Sequence, residues 1–235
     1  AVSASADHTI RVWDLKRRCT ARTLVGHSDE VAVVLITKDG RNIVSASRDN
    51  TVRVWNLETG QVLREFGCEA DWAYTMALTE DGRRAVWAAS NCTVRIWDIA
   101  EGNELPVLCG HLDKVNAVAV TPDGRRVVSA SSDNTLMVWE LASGSLLRIL
   151  TGHSDYVKWV AITSDGKRAI SAANDLSIKV WDLQTYSILA NLVQDTAVSR
   201  MAVAPDGNTI LIGDLAGDVH CLRYHRAQDI KSTST

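Results

Sequence analysis

The sequence predicts an all-β protein, a β-propeller, and three observations carry that expectation. Tryptophans Trp13, Trp55, Trp97, Trp139 and Trp181 stand 42 residues apart, inside segments of one wording: TIRVWDL, TVRVWNL, TVRIWDI, TLMVWEL and SIKVWDL. The dipeptide Asp-Gly keeps step with them at Asp39-Gly40, Asp81-Gly82, Asp123-Gly124, Asp165-Gly166 and Asp206-Gly207. Between these marks the chain alternates valine, isoleucine and threonine with polar residues and shows no sustained helical period. Self-similarity at a fixed period marks a stacked or circular array of small units, because one such unit cannot bury its own apolar face, and about 40–45 residues is the propeller range.

Taken in order, Ala1–Ser5 reads as the second strand of a blade, since VSAS leads to Asp7 and Trp13 as Val44–Ser47 leads to Asp49 and Trp55. Each full unit then offers a strand before Asp-Gly, a strand after it, the tryptophan strand, and a short fourth such as Val62–Phe66. Asp-Gly suits the tight connection because both residues tolerate positive φ. A sixth, eroded copy is DVHCLRY (Asp218–Tyr224), with Leu222 in the tryptophan slot one residue short of the period. The expectation is six visible blades of four-stranded antiparallel sheet, the first without its inner strand and the last without its outer one. Residues 1–224 form the propeller, six- or seven-bladed when whole, and residues 225–235 a polar tail. The missing pair of strands is expected upstream, half a repeat for six blades or one and a half for seven. Otherwise the two unpaired edges meet another chain.

A net charge of −3 with a pI near 6.1 supplies no basic field for nucleic acid. Five cysteines without a C-x-x-C pair argue against a disulfide framework and a structural zinc site, and point to a reducing, cytoplasmic setting. Neither a signal peptide nor an apolar run long enough for a membrane span is present. Phosphate-loop, nucleophile-elbow, H-E-x-x-H and EF-hand patterns are absent, so no cofactor or metal is expected. His220 and His225, five apart with no further ligand at metal spacing, do not change this.

The pairs Gly26-His27, Gly110-His111 and Gly152-His153, the turn aspartates Asp7, Asp49, Asp133 and Asp175, and the Trp-Asp pairs at Trp13 and Trp181 resemble the WD-repeat family over nearly the whole chain. A hydrolase triad is an alternative reading of recurring His, Ser and Asp, but an active site is built once, and these sets repeat. The resemblance implies that His27, Ser45, Asp49 and Trp55, then His111, Ser129, Asp133 and Trp139, then His153, Ser171, Asp175 and Trp181 are buried networks tying neighbouring strands. Two units depart from the pattern. One has Cys68, Trp87 and Asn91 in the histidine, serine and aspartate slots, an extra residue between Gly67 and Asp81, and the aromatics Trp72 and Tyr74. The last has Gln194, Ile212, Ala216 and Leu222, where apolar packing is expected to substitute.

By the same resemblance, partners meet the face formed by the entry to each inner strand and the turn before each tryptophan strand. The residues placed there are Glu30, Arg48, Trp72, Tyr74, Lys114, Asn116, Tyr156 and Lys158, the aromatics being the strongest anchors. The function implied is non-catalytic binding of other proteins, or of other domains of a longer chain. A channel enzyme is the competing class, but the inner strands VAVVLIT, VNAVAVT and VKWVAIT are mostly apolar. Finally, AVAVTPDGRRVVSASSDNTL (Ala117–Leu136) and VAPDGNTILIGDLAGDVHCLRY (Val203–Tyr224) resemble the C-terminal propellers of bacterial signal-transduction NTPases related to apoptosis ATPases. That resemblance implies a sensor that holds an NTPase inactive, with a free-standing adaptor as the alternative.

Overall fold

The computed structural model describes residues 1–67, 75–89 and 91–224. Its regular structure is entirely β, in six antiparallel sheets. The first has three strands, β1 (Val2–Ala4), β2 (Ile10–Asp14) and β3 (Cys19–Leu24). The second is β4 (Val31–Ile36), β5 (Asn42–Ser47), β6 (Thr51–Asn56) and β7 (Val62–Gly67), and the third β8 (Met76–Leu78), β9 (Arg84–Ala88), β10 (Val94–Asp98) and β11 (Asn103–Glu104). The fourth runs through β12 (Val115–Val120), β13 (Arg126–Ser131), β14 (Leu136–Glu140) and β15 (Leu146–Leu150). The fifth runs through β16 (Val157–Ile162), β17 (Arg168–Ala173), β18 (Ser177–Asp182) and β19 (Ile188–Val193), and the sixth has β20 (Val198–Val203), β21 (Thr209–Asp214) and β22 (Val219–Arg223). Every sheet is a meander in chain order, as short local connections favour.

Sequence period dictates the packing. Along β5 and β6 alternate residues leave on opposite faces, so Ile43 and Trp55 meet the first sheet while Val44, Ala46, Val52 and Val54 meet the third. Both faces of each central strand are therefore apolar, and the inner strands pack sheet after sheet from β4 through β8, β12 and β16 to β20. Bulges recur immediately before Trp13, Trp55, Trp139 and Trp181 where the fourth strand pairs with the tryptophan strand. In the third sheet the fourth strand shrinks to two residues, because Pro106 has no N–H for the ladder, and pairing resumes only at Leu108 opposite Val94.

The Asp-Gly connections differ from the expected hairpin in one respect. Only the glycine is left-handed, with φ of 68° at Gly40 and 67° at Gly82. The aspartate works as an acceptor: Asp39 Oδ1 takes the Thr37 hydroxyl at 2.6 Å and the Arg41 N–H at 3.0 Å. A preceding threonine that sequence reading left unused, Thr37, Thr79, Thr121 or Thr163, is buried and completes each turn.

Candidate functional site

Three sheets carry one repeated polar constellation. In the second, His27 Nδ1 lies 2.8 Å from Asp49 Oδ2, His27 Nε2 lies 2.8 Å from Ser45 Oγ, and Trp55 Nε1 donates to the same hydroxyl at 2.8 Å. The fourth sheet repeats it through His111, Asp133, Ser129 and Trp139, and the fifth through His153, Asp175, Ser171 and Trp181. The tautomer follows from donor counting. The ionised carboxylate can only accept, so Nδ1 carries the ring proton and gives it to the aspartate, which leaves the neutral Nε2 to accept the serine proton while the serine oxygen receives the indole N–H. The same tryptophan crowds the glycine before two of the histidines: a Cβ on Gly26 would lie 2.9 Å from the Trp55 ring, and one on Gly110 3.0 Å from Trp139, whereas Gly152 is required by its φ of 148°.

These groups hold their charge states by burial and hydrogen bonding. Burial lowers the affinity of His27, His111 and His153 for a second proton, and this outweighs the pull of the aspartates. For Asp49 burial acts to raise the carboxyl, yet hydrogen bonds from Thr51, the Ser28 N–H and His27 bring it down to about 2. Asp175 reaches about 2 in the same way through Ser177, the Ser154 N–H and His153. The three serines are fully buried, so a substrate cannot reach the hydroxyl in this conformation. The constellation ties the loop entering each sheet to its second and third strands.

The two divergent units solve the same problem differently. In the third sheet Trp87 sits in the serine slot and stacks on Trp97 with centroids 6.4 Å apart, and Trp97 meets Phe66 at 4.5 Å. Aromatic packing replaces the polar set there, and the buried Trp87 indole N–H has no hydrogen-bond partner among the described residues. In the sixth sheet the expectation of purely apolar substitution is incomplete. Ile212 is buried as expected, but Asp214 accepts hydrogen bonds from Thr196 Oγ1 at 2.7 Å and His220 Nε2 at 3.0 Å, a new polar trio. The signal was present in the sequence, since Thr196 and Asp214 exchange the acidic and hydroxyl residues found at Asp113 and Ser131.

The predicted partner face is populated unevenly. Tyr156 is 47% exposed at the head of β16, and Lys158 and Lys114 are exposed beside the heads of their strands. Arg48 and Glu30 are brought together as an ion pair at 2.9 Å. Asn116 is committed inward, donating to Ser132 Oγ at 3.0 Å and to the Val157 carbonyl at 2.9 Å, so it links the fourth and fifth sheets. Trp72 and Tyr74 lie outside the described residues, as do Cys68 and His225. Sequence reading missed Leu112, 90% exposed in the loop after His111 where the other repeats have Ser28 and Ser154. Among the described residues no three His, Cys, Asp or Glu side chains gather as a metal site.

The family model described as WD domain, G-beta repeat matches residues 1–14, 18–56, 102–140 and 144–182, together more than half of the chain. The chain belongs to the WD-repeat family. The matched stretches hold all three polar networks of this WD-repeat protein, whereas the unmatched stretch 57–101 holds the aromatic stack and the unmatched C-terminal part the Thr196–Asp214–His220 trio. No curated protein matches the chain. WD repeats as a class build propellers for protein–protein interaction, and that much holds for this one.

Proposed function

We propose that this WD-repeat propeller is a non-catalytic, cytoplasmic interaction module that binds through the face bearing Tyr156, Lys158, Lys114 and the Arg48–Glu30 pair, and that it serves as the sensor of a bacterial signal-transduction NTPase. The observation that carries the binding face is Tyr156, a large aromatic held half in solvent at the head of β16, its own carbonyl fixed by the Asn174 N–H at 2.9 Å. A preordered aromatic is the side chain that most often anchors an interface, because little entropy is lost when it is covered. The burial of every network serine supports the non-catalytic reading. The NTPase context rests on the wording of Ala117–Leu136 and Val203–Tyr224 alone.

Pull-down from the source organism with the chain as bait, compared with Tyr156→Ala and Lys158→Ala, tests the face. Loss of a specific partner by about 10-fold, on the order of 1.4 kcal/mol, with unchanged melting temperature is the expected result. Equal capture by wild type and both variants refutes it. The full open reading frame tests the context: an upstream G-x-x-x-x-G-K-[ST] segment is expected, and its absence leaves the free-standing adaptor.

A further inference from the structure

Because every sheet is an antiparallel meander, its loops fall alternately on two opposite faces. Loops from the second to the third strand of a sheet, and from the fourth strand to the inner strand of the next, lie on the face of Tyr156, while the remaining loops include the Asp-Gly turns. Among the described residues the Asp-Gly face is balanced, with eight carboxylates and eight lysines or arginines between its strands. The loops of the Tyr156 face carry ten carboxylates against two such cations, Arg48 and Lys114, and Arg48 is already paired with Glu30 at 2.9 Å.

The fold fixes this excess in two layers. Beneath the loops, burial keeps His27, His111 and His153 from taking a second proton, while hydrogen bonds keep Asp49, Asp133 and Asp175 ionised, so each network carries a whole negative charge. Above them Asp29, Asp113 and Asp155 stand in the loops that enter the inner strands. One carboxylate oxygen of each accepts the N–H of the next residue, at 2.6, 2.6 and 2.7 Å. The backbone carbonyls of Asp29 and Asp113 are held in turn by Ser47 Oγ and Ser131 Oγ, both at 2.9 Å. The second carboxylate oxygen of each has no hydrogen-bond partner among the described residues. Two exposed apolar side chains share these loops on neighbouring sheets, Leu112 beside Asp113 and Tyr156 beside Asp155.

We infer that the protein held on this face presents an extended lysine- and arginine-rich segment, its cations against Asp113 and Asp155 and an apolar side chain against Tyr156 and Leu112. This rests on the reading of the Tyr156 face as the binding surface and adds the chemistry of its occupant. A face with one sign of charge draws in the opposite sign and repels its own, so the imbalance acts on both association rate and choice of partner. Carboxylates already held by backbone hydrogen bonds need little ordering to receive a cation, and the ring of an exposed tyrosine is itself a surface for one. In this arrangement Lys158, exposed beside the head of β16, meets the backbone carbonyls of the segment rather than its side chains, so its loss weakens binding even of a basic occupant.

Fluorescence anisotropy with three labelled peptides of one design, in which lysine, glutamine or glutamate recurs between leucine, glycine and serine, tests this. The chain is expected to hold the lysine peptide at least about 10-fold more tightly than the glutamate peptide, with the glutamine peptide between them and the preference shrinking as salt is raised. Asp113→Asn with Asp155→Asn should remove most of that preference, because asparagine keeps the oxygen that accepts the loop N–H and loses only the charge. Glu58→Gln with Glu101→Gln, on the opposite face, should leave it unchanged. Equal binding of all three peptides, no binding of any, or a lysine preference that survives the asparagine pair overturns the inference. Peptides bound without regard to charge yet lost on Tyr156→Ala would leave the face standing and this occupant wrong. A lysine preference that the asparagine pair abolishes and Tyr156→Ala leaves untouched would uphold the charge and remove Tyr156 as the anchor. Circular dichroism checks the fold, and if the asparagine pair does not fold, Asp155→Asn alone carries the same test.

Discussion

Replacing His111 with alanine removes two hydrogen bonds at once, Nδ1 to Asp133 at 2.8 Å and Nε2 to Ser129 at 2.7 Å, from a side chain that is almost wholly enclosed. The consequences for the two partners differ. Asp133 keeps the Leu112 N–H at 3.0 Å and Thr135, so its carboxylate is not stranded. Ser129 is fully buried and keeps the incoming Trp139 indole at 2.8 Å, but the acceptor left for its own proton is the Met137 carbonyl at 3.4 Å, a poor bond. Two buried bonds at about 1 kcal/mol each and one weakly satisfied hydroxyl at about 1 kcal/mol give a loss of about 3 kcal/mol. At roughly 2–4 °C per kcal/mol for a domain of this size, the melting temperature should fall by about 6–12 °C in differential scanning calorimetry. The double variant His111→Ala with Ser129→Ala should lose less than the sum of the singles, because the stranded hydroxyl is then gone. An unchanged melting temperature, or strictly additive singles, refutes the view that these groups act as one structural network.

Stability should fall as pH drops. The three network histidines have folded pKa values below their ordinary 6.5, so their contribution is complete above pH 6.5 and is lost as pH falls below it, with a slope of up to about 1.4 kcal/mol per pH unit for each. A second loss, from Asp49 and Asp175, should follow between their ordinary 3.8 and about 2; a melting temperature flat from pH 7 to 5 contradicts the first part. Gly26→Ala should destabilise by about 1–3 kcal/mol by urea denaturation, since the added methyl meets the buried Trp55 ring, and a neutral result would show that the loop shifts freely. Leu176 holds φ of 63°, a left-handed conformation that costs a non-glycine side chain about 1 kcal/mol, where two other repeats place Asn50 and Asn134. Leu176→Asn should raise the urea midpoint, and a lower midpoint would show that the leucine packs usefully.

The repeat made most of the fold legible in advance. A 42-residue period of β segments specifies small sheets that must stack on their neighbours, and the resemblance of the Gly-His, Ser, Asp and Trp positions to WD repeats implies the buried networks. The period is a property of local spacing, which the sequence carries directly. The tertiary structure decided what depends on a neighbour. Leu15 and Val219 repeat the residue types of Leu141 and Val52, yet those two are buried and these exposed, a difference set by what packs against each. Asn116 reads as a contact residue until the fifth sheet brings the Val157 carbonyl to its amide, and Arg48 and Glu30 read as two contacts until the fold makes them one ion pair. The sixth sheet shows the same division. Its histidine and tryptophan slots are visibly lost in the sequence, and the Thr196 and Asp214 exchange hints at a replacement, but that His220 joins them at 3.0 Å required the strands to be placed.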